Sequence, residues 1–170
     1  PHEIRKRTLE HEMMIEFVNG SVWQVVGSDN FNSLVGAALG GIVYSEWALA
    51  NPAARAYLRP IIAESRGWQI FITTPRGKNH AHNTFLAAQK NPDAFAERLT
   101  ALESGVFTAQ ELERERAAYI DEFGQDMGAA MFEQEYMTSF DAAILGAIYG
   151  AELRDAESAG RICDVPHDPE

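Results

Sequence analysis

Two short apolar runs, GGIVYSE at residues 40–46 and WQIFITT at 68–74, constrain this chain more than any other feature. Both are rich in β-branched and aromatic residues, and Pro75 stops the second, so each reads as a buried strand, the first at about 41–45. Between them Asn51-Pro52 supplies a helix N-cap followed by proline at the first helical position, where a missing N–H is of no consequence. The spacing predicts a helix from there to about Ser65, with room for a bend at Pro60 and a C-terminal stop at Gly67. A second capped helix begins near Asn79 and ends before Asn91-Pro92. Strand, helix, strand, helix in this order gives parallel strands joined by right-handed crossovers. The fold class that follows is α/β.

On the N-terminal side, MIEFVNGSVWQVVG places Asn19-Gly20 between two strand-like runs, the pattern of a hairpin with a two-residue type I′ turn. SDNFNSLVGAALG then reads as a loop or a short helix. On the C-terminal side AERLTAL, residues 96–102, reads as a short strand. TAQELERERAAYIDEFG gives a helix opened by Thr108 and Glu111 at capping-box spacing, with Leu112, Tyr119, Ile120 and Phe123 on one stripe. GQDMGAAMFEQEYM adds a shorter helix. From Ser139 the chain reads as an extended connector with a helical AAILGAIYGAELRDA, and DVPHDPE as an acidic, proline-rich tail.

At 170 residues and 46% hydrophobic content the chain has enough material for one domain with a core. Its 25 acidic and 14 basic residues leave a formal net charge of −11, which opposes autonomous binding to phosphate backbones and to anionic lipid. Arg76 and Lys78 form a local basic patch that keeps DNA contact open as a minor reading. A single cysteine, Cys163, rules out a disulfide framework and a cysteine metal cluster and fits a reducing compartment. No apolar run approaches the roughly 20 residues that span a bilayer, and the first residues carry no apolar signal segment. The expectation is a cytoplasmic protein with no membrane partner.

In open α/β sheets, ligands sit beyond the carboxyl ends of the parallel strands, so Glu46 and the loop after FITT are expected to face one crevice. A carboxylate there can polarise a water for attack on a phosphoryl group. The plainer alternative for Glu46 is a strand-end acid in solvent or paired with Arg55. Magnesium-dependent ATPases normally place an aspartate just before such a glutamate; Ser45 stands there instead, able to hydrogen-bond a metal-bound water but carrying no charge. The phosphate loop G-x-x-x-x-G-K-[ST] is absent from the sequence, and Gly77-Lys78, followed by Asn79, is more simply a basic loop. Thr73 and Thr74 place hydroxyls at the second strand end, or are ordinary β-branched strand residues. His80 and His82 are two apart on a helix and diverge by about 200°, so they do not chelate one ion together. Asp141, Glu152 and Asp155 suggest a two-metal nuclease only weakly, since Asp141 is more simply a helix cap.

In order and content these pieces resemble the large terminase subunit of tailed bacteriophages, the ATP-driven motor that packages viral DNA. The hairpin with NGS at its turn, GSDNFNSLVG, GIVYSEWALANP as a Walker B strand, FITTPRGKNH as a coupling motif, and FEQEYMTSFDAAILGAIYGAEL as the exit from the motor domain carry the resemblance, over most of residues 10–160. It implies a partial P-loop-NTPase-like parallel sheet with flanking helices, a hairpin on the N-terminal side and a helical C-terminal segment. It further implies that Glu46 is the catalytic glutamate, with Ser45 at the metal-site position, and that Thr73 and Thr74 sense the γ-phosphate and link hydrolysis to movement. Residues 1–138 would form a partial ATPase domain, and 139–170 a linker toward a nuclease domain. ATP and Mg2+ would serve the intact parent, with the phosphate loop upstream, and neither is expected in this piece alone. The parent's partners would be double-stranded DNA, the portal and the small terminase subunit, in the cytoplasm of a bacterial host. The competing reading is a non-catalytic interaction or homo-oligomerisation module derived from a terminase, as in a prophage remnant.

Overall fold

The computed structural model describes residues 4–141 and 150–162. The chain divides into two compact units, residues 1–72 and 73–170.

The first unit opens with a three-stranded antiparallel sheet, β1 (Arg5–Leu9), β2 (Met14–Phe17) and β3 (Val22–Gln24), in that spatial order. β1 carries Arg5, Lys6 and Arg7, all exposed, and pairs with β2 through a bulge between Arg5 and Arg7. Glu16 on β2 receives Lys6 at 2.7 Å and also Arg7, and these two hydrogen bonds hold its carboxyl below the usual range. The β2–β3 hairpin forms where expected, but its turn differs. The Phe17 N–H donates to the Ser21 carbonyl and the Gly20 N–H to the Phe17 carbonyl, leaving three loop residues, and Gly20 alone of them has positive φ, at 84°. This is a three-residue loop closed by a glycine bulge instead of a two-residue type I′ turn. Asn19 keeps negative φ because its side-chain oxygen accepts from the Ser21 N–H and hydroxyl, an arrangement that fixes the loop locally.

A 3-10 segment, Ser28–Leu34, leads to β4 (Gly41–Ser45), α1 (Pro52–Ser65) and β5 (Trp68–Ile72). β4 and β5 pair in parallel, Gly41 opposite Trp68 through to Ser45 opposite Ile72. The Asn51 side chain accepts from the Ala53 N–H at 3.0 Å, the cap expected from the sequence. The C-terminal stop falls one residue earlier than expected: Arg66, not Gly67, takes the left-handed conformation, at φ 54°. Its N–H reaches Ala63, and the Gly67 N–H reaches Ile62, the paired bonds of a Schellman motif. Gly67 is needed for a different reason, since a β-carbon there would lie 2.8 Å from the Gly40 carbonyl oxygen. α1 buries Ala54, Leu58 and Ile62, spaced four apart, while Tyr57 stacks on Phe31 of the 3-10 segment at 5.3 Å.

The second unit contains α2 (His80–Gln89), α3 (Ala109–Phe123), α4 (Gln125–Glu135) and α5 (Gly150–Ser158). The Asn79 side chain caps α2 at the Ala81 N–H, and Thr108 and Glu111 form the full capping box of α3. AERLTAL is not a strand. Among the described residues no strand offers it a ladder, and Thr100 and Glu103 close a turn there while the Ala101 N–H donates to the Tyr136 carbonyl at 2.8 Å. α3 and α4 pack closely because Gly128 has no side chain: a β-carbon would fall 2.3 Å from the Tyr119 carbonyl oxygen. Phe107, Tyr119, Phe132 and Tyr136 form the aromatic core of this pair. The Tyr136 hydroxyl donates to Glu115 at 2.9 Å; burial, then that hydrogen bond, push the phenol up to about 12. The first part of AAILGAIYGAELRDA, the tail DVPHDPE and Cys163 lie outside the described residues.

Candidate functional site at the ends of the parallel strands

Ser45 is the last residue of β4 and Glu46 follows it, both exposed. Two structural features hold this strand end in place. The Trp47 N–H donates to the Ile72 carbonyl at 3.1 Å, carrying the ladder past the end of β4, and Trp47 itself is only 2% exposed. Around it Tyr44 stacks flat on Phe71 at 4.7 Å, and Trp47 tilts against both rings, at 5.0 and 5.3 Å. Burial pushes the Tyr44 phenol up.

Between the strand and the sunken Trp47, Glu46 takes φ of 49°, the left-handed region that glycine and asparagine ordinarily fill. Its carbonyl accepts from the Leu49 and Ala50 N–H groups at 2.8 and 3.1 Å, forming a tight turn toward α1. Its carboxylate has no hydrogen bond or ion pair among the described residues. The Arg55 pairing considered from the sequence does not form: the guanidinium lies over the Phe71 ring, 4.9 Å from its centroid, and burial draws its pKa down. Neither the left-handed backbone nor the Trp47 anchor was anticipated. The run of aromatic residues Tyr44, Trp47 and Phe71 was the one available signal for the anchor.

β5 ends at Ile72, two residues sooner than expected, so Thr73 and Thr74 lie in the loop beyond the strand, in the second unit. Both are half-buried, and the Thr73 hydroxyl donates to the Thr74 carbonyl at 2.9 Å. Pro75 and Gly77 are buried, and Gly77 turns the chain with φ of 66° into the Asn79 cap of α2. The two loop cations are both engaged: Arg76 pairs with Glu135, and Lys78 with Asp141 at 2.8 Å. Asp141 therefore serves as an ion-pair partner, and Lys78 holds its carboxyl below the usual range. The helix it was expected to cap lies outside the described residues.

His82 packs its ring on Phe140 at 4.6 Å. Glu152 and Asp155 sit exposed on α5. Among the described residues no three histidine, cysteine or acidic side chains gather as a metal site, and no helix is long and apolar enough to cross a membrane.

The fold of this chain matches that of a phage large terminase ATPase domain. The ATPase domain of the large terminase of Thermus phage P74-26 and a point mutant of it superpose with a TM-score of 0.59 each, over 82% of this chain, at 17% and 18% identity. The chain spans 64% and 65% of those two chains, less than two thirds. No protein-family profile matches the sequence, and no curated protein matches it.

The sequence has no glycine-rich phosphate-loop pattern. Its one Gly-Lys pair, Gly77-Lys78, is followed by asparagine, and Lys78 is engaged by Asp141.

Proposed function

We propose that this chain is the carboxyl-terminal part of the ATPase domain of a terminase-like DNA-packaging motor, with residues 1–138 in the motor domain and 139–170 leading toward a nuclease domain. The observation that carries the proposal is Glu46, an exposed and unpartnered carboxylate held in a left-handed backbone at the end of β4, in a fold similar to a terminase ATPase domain. In the intact motor Glu46 holds and polarises the attacking water, Ser45 bonds the water shell of Mg2+, and Thr73 and Thr74 read the terminal phosphate of ATP. The phosphate cradle comes from upstream sequence. Double-stranded DNA, a portal and a small terminase subunit are the partners of that motor.

Mg-ATP binding and hydrolysis by this chain, beside a Glu46→Gln variant, test the reading. The chain alone should neither bind at micromolar ATP nor turn over. A longer protein that supplies G-x-x-x-x-G-K-[ST] should hydrolyse ATP, and Glu46→Gln should slow it by roughly 100-fold or more. Hydrolysis by the short chain that Glu46→Gln abolishes would overturn the claim of an incomplete site.

A second reading, a self-associating module without catalysis, rests on the uncovered face of the parallel strands. Val43, Trp68, Ile70 and Ile72 lie on that face, with Trp68 56% and Ile72 58% exposed, whereas parallel sheets are ordinarily covered on both sides. Light scattering at high concentration decides it: dimers that dissociate on Ile70→Lys support it, and a strict monomer counts against it.

A further inference from the structure

Residues 135–141, the last residue of α4 and the six that follow it, are fastened to the loop that follows β5 and to α2 at three points. The Arg76 guanidinium pairs with Glu135 where both are only partly exposed, and Glu135 also accepts from the side-chain amide of buried Gln134 at 3.1 Å. At the other end Lys78 pairs with Asp141 at 2.8 Å. Between them Phe140 rests on His82 and Phe85 of α2, at 4.6 and 5.7 Å.

The same segment contains an unfavourable residue. Thr138 has φ of 53°, the left-handed region, which a β-branched side chain enters only under constraint. Its hydroxyl is buried with no hydrogen-bond partner among the described residues. Both features cost stability, and the buried hydroxyl gains no hydrogen bond in return. Neighbouring contacts hold the bend in place: the Ser139 N–H donates to the Glu133 carbonyl at 3.0 Å, and the Tyr136 carbonyl accepts from the Ala101 N–H.

We infer that residues 135–141 form a strained strap whose closed state is maintained by Arg76 and Lys78, so that a shift of the Thr73–Asn79 loop releases the strap and a change in the strap moves the loop. Arg76 and Lys78 are positioning residues, each acting through the acid it holds. Two ion pairs grip a segment whose bend is strained, so a released arrangement is the state toward which a freed strap would relax. The inference rests on the proposed function only for the signal, a terminal phosphate at Thr73 and Thr74, that would move the loop. The coupling itself must be reciprocal.

Hydrogen exchange of the whole chain, without nucleotide, tests the coupling apart from the function. Glu135→Gln removes the acid that holds Arg76, and should speed exchange of the amides of residues 74 and 76–79 by about fivefold or more while α3 amides stay unchanged. Combining Arg76→Glu with Glu135→Arg should restore slow exchange in both segments. Thr138→Gly should slow exchange within 135–141, because glycine accepts the left-handed backbone. An unaltered loop, or a uniform acceleration that includes α3, would overturn the coupling. Unchanged or faster exchange in Thr138→Gly would show that the bend stores no strain, and the strap would not be poised. ATP hydrolysis by the longer protein is a separate readout, so its failure would remove the signal and leave the coupling standing.

Discussion

A glutamate at φ of 49° does not rest in its preferred backbone, and Glu46 keeps that conformation with an unpaired carboxylate. Glu46→Gly should therefore leave the chain equally stable or raise its unfolding free energy by about 0.5–1 kcal/mol, read by urea denaturation, although an exposed residue changed to glycine ordinarily loses stability. Tyr136 gives a second residue-scale outcome. Its phenol stands at about 12 in the folded chain against 10.0 unperturbed, so the native state binds its proton more tightly than the unfolded state does. The stability it contributes is complete below pH 10.0 and declines as pH rises through about 12. Tyr136→Phe should flatten that alkaline limb in denaturation curves taken across the window. At this scale the sequence displayed Glu46 as a strand-end acid through the apolar run before it. Its left-handed backbone was not visible, because that depends on Trp47 packing on Phe71 and bonding to Ile72, contacts more than twenty residues apart.

Helices in this chain announce themselves through their ends. Asn51, Asn79 and Thr108 all cap where the sequence places them, since capping depends on residues two or three apart. Thr108→Ala should cost about 1 kcal/mol in urea denaturation by removing the Thr108 half of the box. The Glu111 carboxyl lies below its usual range through the Thr108 backbone N–H and then its hydroxyl, so the stability tied to it is present above pH 4.5 and lost as pH falls through the lower folded value. Gly128→Ala should be far worse than a typical helix-interior change, by about 3 kcal/mol or more, because the new methyl would meet the Tyr119 carbonyl, a backbone atom that cannot step aside. Strands were less legible. β1 consists of Arg5, Lys6, Arg7, Thr8 and Leu9, with no apolar alternation, and it exists because β2 offers it a ladder and Glu16 offers its cations a partner. AERLTAL shows the reverse case, a strand-like composition with no ladder to join.

At the scale of the molecule, charge and pairing act together. The chain carries −11, and Arg76 and Lys78 of the loop after β5 are each held by an acid, so labelled duplex DNA should show no mobility shift with this chain even at low salt. A shift that fades steeply as salt rises would reverse that expectation. From β2 to α4 the order of elements was readable from local periodicity, except for the strand expected at AERLTAL. The uncovered face of β4 and β5 was not, since a sequence pattern cannot say which of two apolar faces finds a cover. The pinned strand end has one further consequence. With Ser45 in the ladder, Trp47 sunk and the Glu46 carbonyl tied to Leu49 and Ala50, the backbone at Glu46 is a fixed post, and the reach of its carboxylate is set by the length of the side chain. Shortening the arm by one methylene in Glu46→Asp would leave the post untouched while withdrawing the oxygens by about 1.5 Å, a bond length that folding would not register and a water-holding site would.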